Sequence, residues 1–507
     1  MSKVLRWPIY AFLISALPVV HFYEINFRLL TVNDLWRPLM LGGLLVAGLL
    51  FGGRVIWGKA ERAGLVVAPI VVVIFKGNDI GGWGSLILLA ASVGLGVYAS
   101  KAQPNWFRKM TLPLNVMLLI LVTWPVANAL RASASESPPT PGSFYDSDIS
   151  VPEPNNSAHQ PDVYYLMVDG LGQPAYVETL FPIERQQYSG PFRTRGFQVL
   201  DSSFANYPQT ALSSAATLNL GTIEQLFEIP DANARDRRPL GKVVGRSRVA
   251  RLFKNHGYRL VDFPSGYPLT KQMLTDCTRA PFIDPSFVEY YLIEDGILAL
   301  AQSLLPSGPA DISFAMRRNR LDYIFNKLGT AADGLADDQP VFVYAHILAP
   351  HPPFVYGAEG EALTSRARFG FADGNHWLDV HGHDDPSYRQ RYAAQATWIM
   401  KRLARSVDDI IKSSSRPKII IIQGDHGPGS GLDWNDPLNT DHNERFGIFN
   451  AWYVSTGRQV PLYEGMTSMN TFPMLFNTFF NAQLPQLPDK HWFARMREPY
   501  LYFEVEK

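Results

Sequence analysis

The first 130 residues consist of long apolar runs separated by short polar connections, whereas the rest of the chain mixes apolar and polar positions. The apolar runs cover residues 9–23, 38–51, 63–75, 85–99 and 112–130, with almost no charge inside them. Several runs are shorter than the roughly 20 residues that an upright transmembrane helix needs, so flanking residues have to extend them. We therefore predict a transmembrane domain over residues 1–130 with five spans.

The basic residues of this domain predict its orientation. Eight lie in the N-terminus and in the second and fourth connections, against three in the first and third: Lys3, Arg6, Arg54, Lys59, Arg62, Lys101, Arg108 and Lys109 against Arg28, Arg37 and Lys76. Connections rich in Lys and Arg stay on the cytoplasmic side. The N-terminus is thus predicted to be inside and everything after residue 130 outside. Because more spans follow, the first segment is not interpreted as a cleaved signal peptide.

The remainder of the chain divides into a linker and a globular domain. Residues 131–160 are rich in Ser, Pro, Ala and Asn, which is typical of an extended linker. In residues 161–507, strand-like segments at 162–168, 197–204, 258–263, 340–346 and 418–423 alternate with helix-like segments at 249–255 and 387–413. Such alternation predicts a mainly parallel α/β sheet with helices on both faces.

Composition excludes several classes of function. The 46 basic and 46 acidic side chains balance, so no overall field favours a nucleic-acid partner. The single cysteine, Cys277, excludes a disulfide framework and cysteine-rich metal sites. No base lies near it in sequence, so we interpret Cys277 as an inert small residue.

Polar residues follow two of the predicted strands. The strand at 418–423 leads into Asp425 and His426 within a glycine-rich turn, and the strand at 162–168 leads into Asp169. Ligands of open α/β sheets bind beyond the carboxyl ends of the strands. An oxygen donor beside a nitrogen donor suits a divalent metal such as zinc or manganese. A capped turn with a surface histidine is the alternative for Asp425 and His426.

Two further segments carry candidate chemistry. Thr210 stands where a helix of small residues begins, and the backbone amides there suit a nucleophile that holds a phosphoryl group. The alternative is that Thr210 only caps the helix. His346 ends the strand at 340–346, and the neighbouring prolines restrict the direction of His351. Either histidine alone would also suit a structural role.

The order of these motifs resembles the sulfatase-like branch of the alkaline phosphatase superfamily. The motifs are Val-Asp169-Gly, Asn206-Tyr-Pro-Gln-Thr210, His346 to His351-Pro-Pro-Phe and Gly424-Asp425-His426-Gly427, and residues 444–453 and 470–477 resemble its late strand and closing helix. Five helices before an external domain resemble the plan of lipoteichoic acid synthases and lipid A phosphoethanolamine transferases. The resemblance implies an alkaline-phosphatase-like α/β/α sandwich after the five-helix region.

The resemblance also implies the chemistry. One divalent ion, zinc or manganese with magnesium as an alternative, would be held by Asp169, Thr210, Asp425 and His426. Thr210 would be the nucleophile and would form a phospho-threonine intermediate. His351, with His346 and His442, would face the leaving or accepting group or a second metal. For His442, which is assigned here to the metal set, a surface position is the alternative.

Departures from the family pattern limit the resemblance. Asp169 stands where the lipid-headgroup transferases usually have Glu, and disulfides that many phosphoethanolamine transferases carry are excluded. The cysteine or serine that true sulfatases modify is missing around Pro208, so sulfate-ester hydrolysis is disfavoured. A further cluster of His376, His381, His383, Asp384 and Asp385 fits either a metal site or a solvated insertion.

The predicted function is that of a membrane-anchored, metal-dependent transferase. It would move a phosphoryl-linked headgroup, of the phosphoethanolamine or phosphoglycerol type, from a phospholipid to an envelope glycan or lipid. The resemblance implies a multi-pass protein of a bacterial inner membrane with a periplasmic catalytic domain. The alternatives are a phosphodiesterase or phosphatase on the same fold and a catalytically weak regulatory protein that binds lipid.

Overall fold

The computed structural model describes residues 7–101, 105–152, 160–304, 312–335, 339–363, 369–381 and 387–506. The chain divides into two compact units, the first formed by residues 1–136 and 285–313 and the second by residues 137–284 and 314–507. The helices are α1 Ile9–Asn26, α2 Trp36–Trp57, α3 Ala60–Lys101, α4 Asn105–Ser135, α5 Ser143–Asp146, α6 Pro174–Leu180, α7 Gly190–Arg193, α8 Thr210–Asn219, α9 Ile223–Leu226, α10 Arg238–Gly245, α11 Arg248–Asn255, α12 Phe287–Asp295, α13 Ile297–Leu304, α14 Ile312–Lys327, α15 Asn375–His381, α16 Ser387–Lys412, α17 His442–Phe446 and α18 Thr471–Phe480. The strands are β1 Thr140–Pro141, β2 Asp162–Val168, β3 Gln198–Leu200, β4 Phe227–Glu228, β5 Arg259–Phe263, β6 Cys277–Thr278, β7 Val341–Ile347, β8 Lys418–Gly424, β9 Asn450–Val454, β10 His491–Ala494 and β11 Tyr502–Val505.

The first unit contains the helices that are apolar enough to cross a membrane. Within the described residues there are four, Ile9–Asn26, Val32–Trp57, Ala60–Lys101 and Trp106–Ser135. The apolar N-terminal region is confirmed, with four long apolar helices where the sequence predicted five spans. The third and fourth apolar runs of the sequence both lie in α3, which is 42 residues long.

Helix α3 is a helical hairpin that turns at Gly81. This residue has φ 74° and ψ 171°, a conformation that glycine adopts without steric cost. The hydroxyl of Ser92 donates to the carbonyl oxygen of Val66 at 2.7 Å, and Arg62 donates to that of Ala99 at 3.2 Å. The residues before and after Gly81 therefore run antiparallel. Each limb has about 20 residues, the length of one crossing, so five crossings remain the prediction.

A segment from later in the chain also belongs to the first unit. Helices α12 and α13 lie in residues 285–313. Val288 of α12 packs in one apolar cluster with Val19 and Phe22 of α1. The Nζ atom of Lys76 lies 2.7 Å from Asp295 Oδ2. These contacts group α12 with the transmembrane helices, which the sequence pattern did not indicate.

The predicted linker, residues 131–160, is only partly extended. Helix α4 continues to Ser135, and β1 pairs antiparallel with β4 before the short helix α5 begins. Tyr145 of α5 is buried and donates its hydroxyl to the carbonyl oxygen of Arg246 at 2.9 Å. Residues 153–159 of this segment lie outside the described part. The Ser- and Pro-rich composition does not predict these contacts, because the residues that the segment contacts lie far away in the sequence.

The second unit is built around a seven-stranded sheet with the strand order β3-β9-β8-β2-β7-β5-β6. Strands β8, β2, β7, β5 and β6 pair in parallel, and β9 is antiparallel to both of its neighbours. The predicted α/β class is therefore confirmed. Every residue of β2, β7 and β8 is buried, as expected for central parallel strands covered on both faces.

The topology of α3 predicts the side of the membrane on which its connections lie. In a Cys277→Ser background, we expect a membrane-impermeant maleimide to label Trp83→Cys in intact cells, because Trp83 is 82% exposed beside the turn at Gly81. Lys59→Cys, which precedes α3, should be labelled only after the membrane is permeabilised. Labelling of both cysteines from the same side would contradict the hairpin and the five crossings.

Candidate metal and phosphoryl-transfer site

The candidate site lies at the carboxyl ends of three neighbouring parallel strands. The end of β2 pairs with Ile347 of β7 on one side and with Gly424 of β8 on the other. Asp169 follows β2, His346 lies near the end of β7, and Asp425 follows β8. Each of these three buried side chains offers a ligand atom within 4.8 Å of the other two. The register of the sheet therefore gathers residues that are far apart in sequence.

Thr210 is the first residue of α8, and its N-cap is Gln209. The alternative that Thr210 caps the helix is thus wrong, since Thr210 lies inside the helix and Gln209 holds the N-cap position. The preceding loop is held by its own side chains. Asn206 Oδ1 accepts a hydrogen bond from the backbone N–H of Met469 at 3.0 Å, and Gln209 Nε2 donates to the carbonyl oxygen of Ala494 at 2.8 Å. These bonds fix the start of α8.

Four polar atoms of the site have the spacing of metal ligands. His426 Nε2 lies 3.1 Å from Thr210 Oγ1. The same nitrogen lies 3.5 Å from Asp169 Oδ1 and 3.4 Å from Asp425 Oδ2. Ligand atoms that surround a tetrahedral ion at about 2.1 Å stand about 3.4 Å from one another. The three distances from His426 Nε2 fit an ion shared by these four residues, which are the set that the family resemblance implies.

The ring of His426 presents a lone pair to this site. Its Nδ1 lies 2.9 Å from the carbonyl oxygen of Gly427, which can only accept, so Nδ1 carries the proton. Burial lowers the pKa of His426, and the positive charge of Arg445 lowers it further. Together they outweigh the carboxylates of Asp425 and Asp169, which raise it. A neutral ring with a proton-free Nε2 is the form that binds a metal.

Two buried carboxylate oxygens point to the same conclusion. Asp169 Oδ1 and Asp425 Oδ2 have no hydrogen-bond partner within the described residues. Buried charged oxygens are costly without a partner, and here they lie close to the lone pair of His426. A cation bound between these atoms would compensate the two carboxylate oxygens and would also bind the lone pair of His426. Oxygen and imidazole donors suit a divalent ion such as zinc or manganese.

His346 supports Asp169 from the side of β7. Its Nε2 lies 3.3 Å from Asp169 Oδ2, and its Nδ1 lies 2.8 Å from the hydroxyls of Ser265 and Thr270. Burial alone would raise the pKa of Asp169. His351, in its protonated form, and the hydrogen bond from His346 outweigh burial and hold the pKa of Asp169 below its usual range. Asp169 is therefore ionised, as a metal ligand must be.

His351 enters the site from the loop after β7. Its backbone N–H donates to the carbonyl oxygen of Asp169 at 3.1 Å, and its Nδ1 donates to the carbonyl oxygen of Pro352 at 2.6 Å. Gln395 of α16 holds the loop by donating to the carbonyl oxygen of Pro350 at 3.1 Å. The Nε2 of His351 lies 3.9 Å from Asp373 Oδ2, and the centroid of the ring lies 6.3 Å from that of His426.

The structure adds two charged residues that sequence reasoning missed. Arg445 is buried on α17, and its NH1 lies 2.8 Å from Oδ2 of the buried Asp373. Its NH2 lies 3.3 Å from His426 Nε2. Tyr388 donates to Asp373 Oδ1 at 2.7 Å, and the pKa of Asp373 is lowered because the charge of Arg445 outweighs burial. In sequence, Arg445 lay only in a segment assigned to a late strand.

The structure does not bring His442 to the site. It begins α17, where its Nδ1 lies 2.8 Å from the carbonyl oxygen of Glu506 and its Nε2 lies 3.0 Å from that of Pro437. Neither nitrogen presents a lone pair to a metal, so the assignment of His442 to the metal set is wrong. A surface position, which was the alternative for His442, fits better, because both ring nitrogens lie against backbone carbonyl oxygens.

The remaining candidates lie apart from these contacts. His376 is exposed at the start of α15, while residues 382–386, with His383, Asp384 and Asp385, lie outside the described residues. A metal role for that cluster stays a prediction. Cys277 forms part of the edge strand β6, partly exposed and without a disulfide.

A scan against protein-family models finds no match, and a search of curated proteins finds none either. Among solved structures, the integral membrane protein lipooligosaccharide phosphoethanolamine transferase A from Neisseria meningitidis matches with 11% identity over 94% of this chain and 95% of that chain, at a TM-score of 0.40. The C-terminal periplasmic domain of EcEptC from Escherichia coli matches with 10% identity over 70% and 96%, at 0.39.

BT1596, a 2-O GAG sulfatase, matches with 13% identity over 68% of this chain and 74% of that chain, at a TM-score of 0.39. Phosphoethanolamine transferases and sulfatases are the kinds of protein that the sequence motifs resemble. All three TM-scores are below 0.5.

The ligand geometry predicts which variants lose metal. We expect Asp425→Ala and His426→Ala to lose most of the bound divalent ion, because a site of four ligands has few spare donors. His442→Ala is the matched control and should keep a full complement, since both of its ring nitrogens face backbone carbonyls. Elemental analysis of the purified proteins measures this. Full metal content in Asp425→Ala and His426→Ala would contradict the proposed site.

Proposed function

We propose that this protein is a membrane-anchored transferase that moves a phosphoryl-linked headgroup from a phospholipid to an envelope glycan or lipid. The observation that carries this proposal is the position of Thr210. Its hydroxyl begins a helix and lies 3.1 Å from the proton-free nitrogen of His426, beside two unpartnered carboxylate oxygens. A hydroxyl in that position suits a nucleophile that forms a phosphoryl ester.

The metal would be held by Asp169, Thr210, Asp425 and His426. When bound, it lowers the pKa of the Thr210 hydroxyl and neutralises charge on the phosphoryl group. The backbone amides in the first turn of α8 have no partner within the helix and lie at the positive end of its dipole. These amides would hold the phosphoryl oxygens.

In the first half-reaction, Thr210 Oγ1 forms a bond to the phosphorus of the donor phosphodiester. The bond between phosphorus and the glycerol oxygen of the lipid breaks. Thr210 gives up its hydroxyl proton and the diacylglycerol oxygen takes up a proton, so charge and atoms balance. The headgroup phosphate is now an ester of Thr210.

In the second half-reaction, an acceptor hydroxyl attacks the same phosphorus and the bond to Thr210 Oγ1 breaks. The acceptor loses a proton and Thr210 regains one. His351 would take the acceptor proton, because its Nδ1–H is bonded to the carbonyl oxygen of Pro352 and its Nε2 is left as a base. If water attacks instead of an acceptor, the same site is a phosphodiesterase.

The apolar helices would keep the enzyme at its lipid donor. Four helices have the length and composition to cross a membrane. They would confine the enzyme to the membrane that contains its phospholipid donor. Confinement raises the effective concentration of the lipid at the site. We propose a bacterial inner membrane with the catalytic unit on the periplasmic side, following the orientation predicted by the basic residues.

The nucleophile predicts the fate of the label from a donor. With phospholipid labelled in its headgroup phosphate, we expect wild-type protein to acquire label on Thr210 and to pass it to an added acceptor. Thr210→Ala should lose label and turnover by several orders of magnitude, whereas Thr210→Ser should keep part of both. Thr179→Ala, which removes an exposed hydroxyl from α6, is the control and should behave as wild type.

Mass spectrometry of the labelled protein and thin-layer analysis of the lipids give the two readouts. Transfer to the acceptor distinguishes the transferase from the hydrolase, which releases the headgroup phosphate to water. Unchanged turnover in Thr210→Ala would exclude Thr210 as the nucleophile.

A further inference from the structure

Arg445 does not use all of its hydrogen-bond donors in contacts with the described residues. Its guanidinium has five N–H donors. Nε donates to the carbonyl oxygen of Pro208 at 2.9 Å, and NH1 donates to Asp373 Oδ2 at 2.8 Å and to the carbonyl oxygen of Gly427 at 3.1 Å. NH2 contacts only His426 Nε2 among the described residues, at 3.3 Å. One N–H of NH2 is therefore without a protein acceptor, although the side chain is 1% exposed.

The contact between NH2 and His426 is not compatible with a metal on the same nitrogen. His426 Nε2 has a single lone pair, which either accepts from Arg445 or binds the ion. With the ion bound, neither N–H group of NH2 has a protein acceptor among the described residues. They would then lie beside the space next to Thr210 Oγ1, which contacts the same nitrogen of His426 at 3.1 Å.

We propose that Arg445 is a catalytic residue whose NH2 group binds a non-bridging oxygen of the phosphoryl group on Thr210. The inference rests on the proposed function and extends it with a residue that recognises the anion. Guanidinium hydrogen bonds to phosphoryl oxygens are charge-assisted, and they strengthen as charge builds on the equatorial oxygens during transfer.

Asp373 is the positioning residue of this arrangement. Its Oδ2 lies 2.8 Å from Arg445 NH1 and 3.9 Å from His351 Nε2, and its Oδ1 accepts from Tyr388. It compensates the buried charge of Arg445, which would otherwise be expensive. The ring of Trp434 lies 4.9 Å from the guanidinium carbon and covers it. The guanidinium is thus fixed before the substrate arrives, which is how such groups stabilise a transition state.

The first test compares Arg445→Lys with wild type and with Arg389→Lys, a control at a half-exposed arginine. Lysine keeps a charge against Asp373 but cannot keep the fork of donors. We expect Arg445→Lys to keep its metal content and to acquire label on Thr210 about 10²–10³-fold more slowly. Inhibition by orthovanadate, which mimics the transferring phosphoryl group, should weaken at least about tenfold. Arg389→Lys should match wild type in all three measurements.

A second variant covers the case in which Arg445→Lys does not fold. Asp373→Asn/Arg445→Gln removes both charges together and leaves no buried charge unpaired. Orthovanadate binding to this folded protein, measured calorimetrically, should fall at least about tenfold while the metal stays bound. Labelling rates within twofold of wild type, or unchanged vanadate affinity in the folded variants, would overturn the role of Arg445.

The two proposals fail in different ways. If the wild-type protein never carries label on Thr210, the proposed function fails, whatever the arginine variants do. If wild type is labelled and the arginine variants are labelled as fast, only the inference about Arg445 fails. Vanadate binding is a readout that needs neither a lipid donor nor turnover.

Discussion

The parallel pairing of β2 between β7 and β8 is the constraint on which the site depends. It sets the ends of three strands side by side, although 256 residues separate Asp169 from Asp425 in the chain. A one-residue slip of any of these strands would turn its functional side chain to the other face of the sheet. Every side chain of these strands is buried, so the packing that holds the strands in register also places the ligands.

The electrostatics of the site follow from that placement. Two carboxylates lie against a neutral imidazole whose lone pair faces them, and two of their oxygens lack partners within the described residues. Such an arrangement is unfavourable without a cation. The surrounding groups hold it in place. An added Cβ at Gly427 would overlap the carbonyl oxygen of Glu444, so only glycine allows the turn after His426 to pack on α17. Rigid support of this kind keeps ligand geometry when substrate binds.

The α/β class and the strand ends that carry the site could be predicted from sequence, because both depend on local patterns of apolar and polar residues. Apolar strands ending in Asp169 and in Asp425-His426, and small residues after Thr210, are visible along the chain. Arg445 and Asp373 could not be found in that way, since their roles arise only from a contact between a short helix and a distant loop. His442 was assigned to the metal set through the family resemblance, which does not report the direction of a ring, and the helix directs this ring to backbone carbonyls elsewhere. The hairpin of α3 depends on the backbone of Gly81, which hydrophobic patterning does not report.

The central claim is that Asp169, Thr210, Asp425 and His426 hold one divalent ion against the nucleophile. A crystal structure of the metal-loaded protein, with anomalous diffraction data collected at the absorption edge of the metal, tests it most directly. We expect one anomalous peak within about 2.2 Å of Asp169 Oδ1, Thr210 Oγ1, Asp425 Oδ2 and His426 Nε2. A fully loaded protein with no peak at that position, or with its peak only at His442 or in the loop of His376, would contradict it.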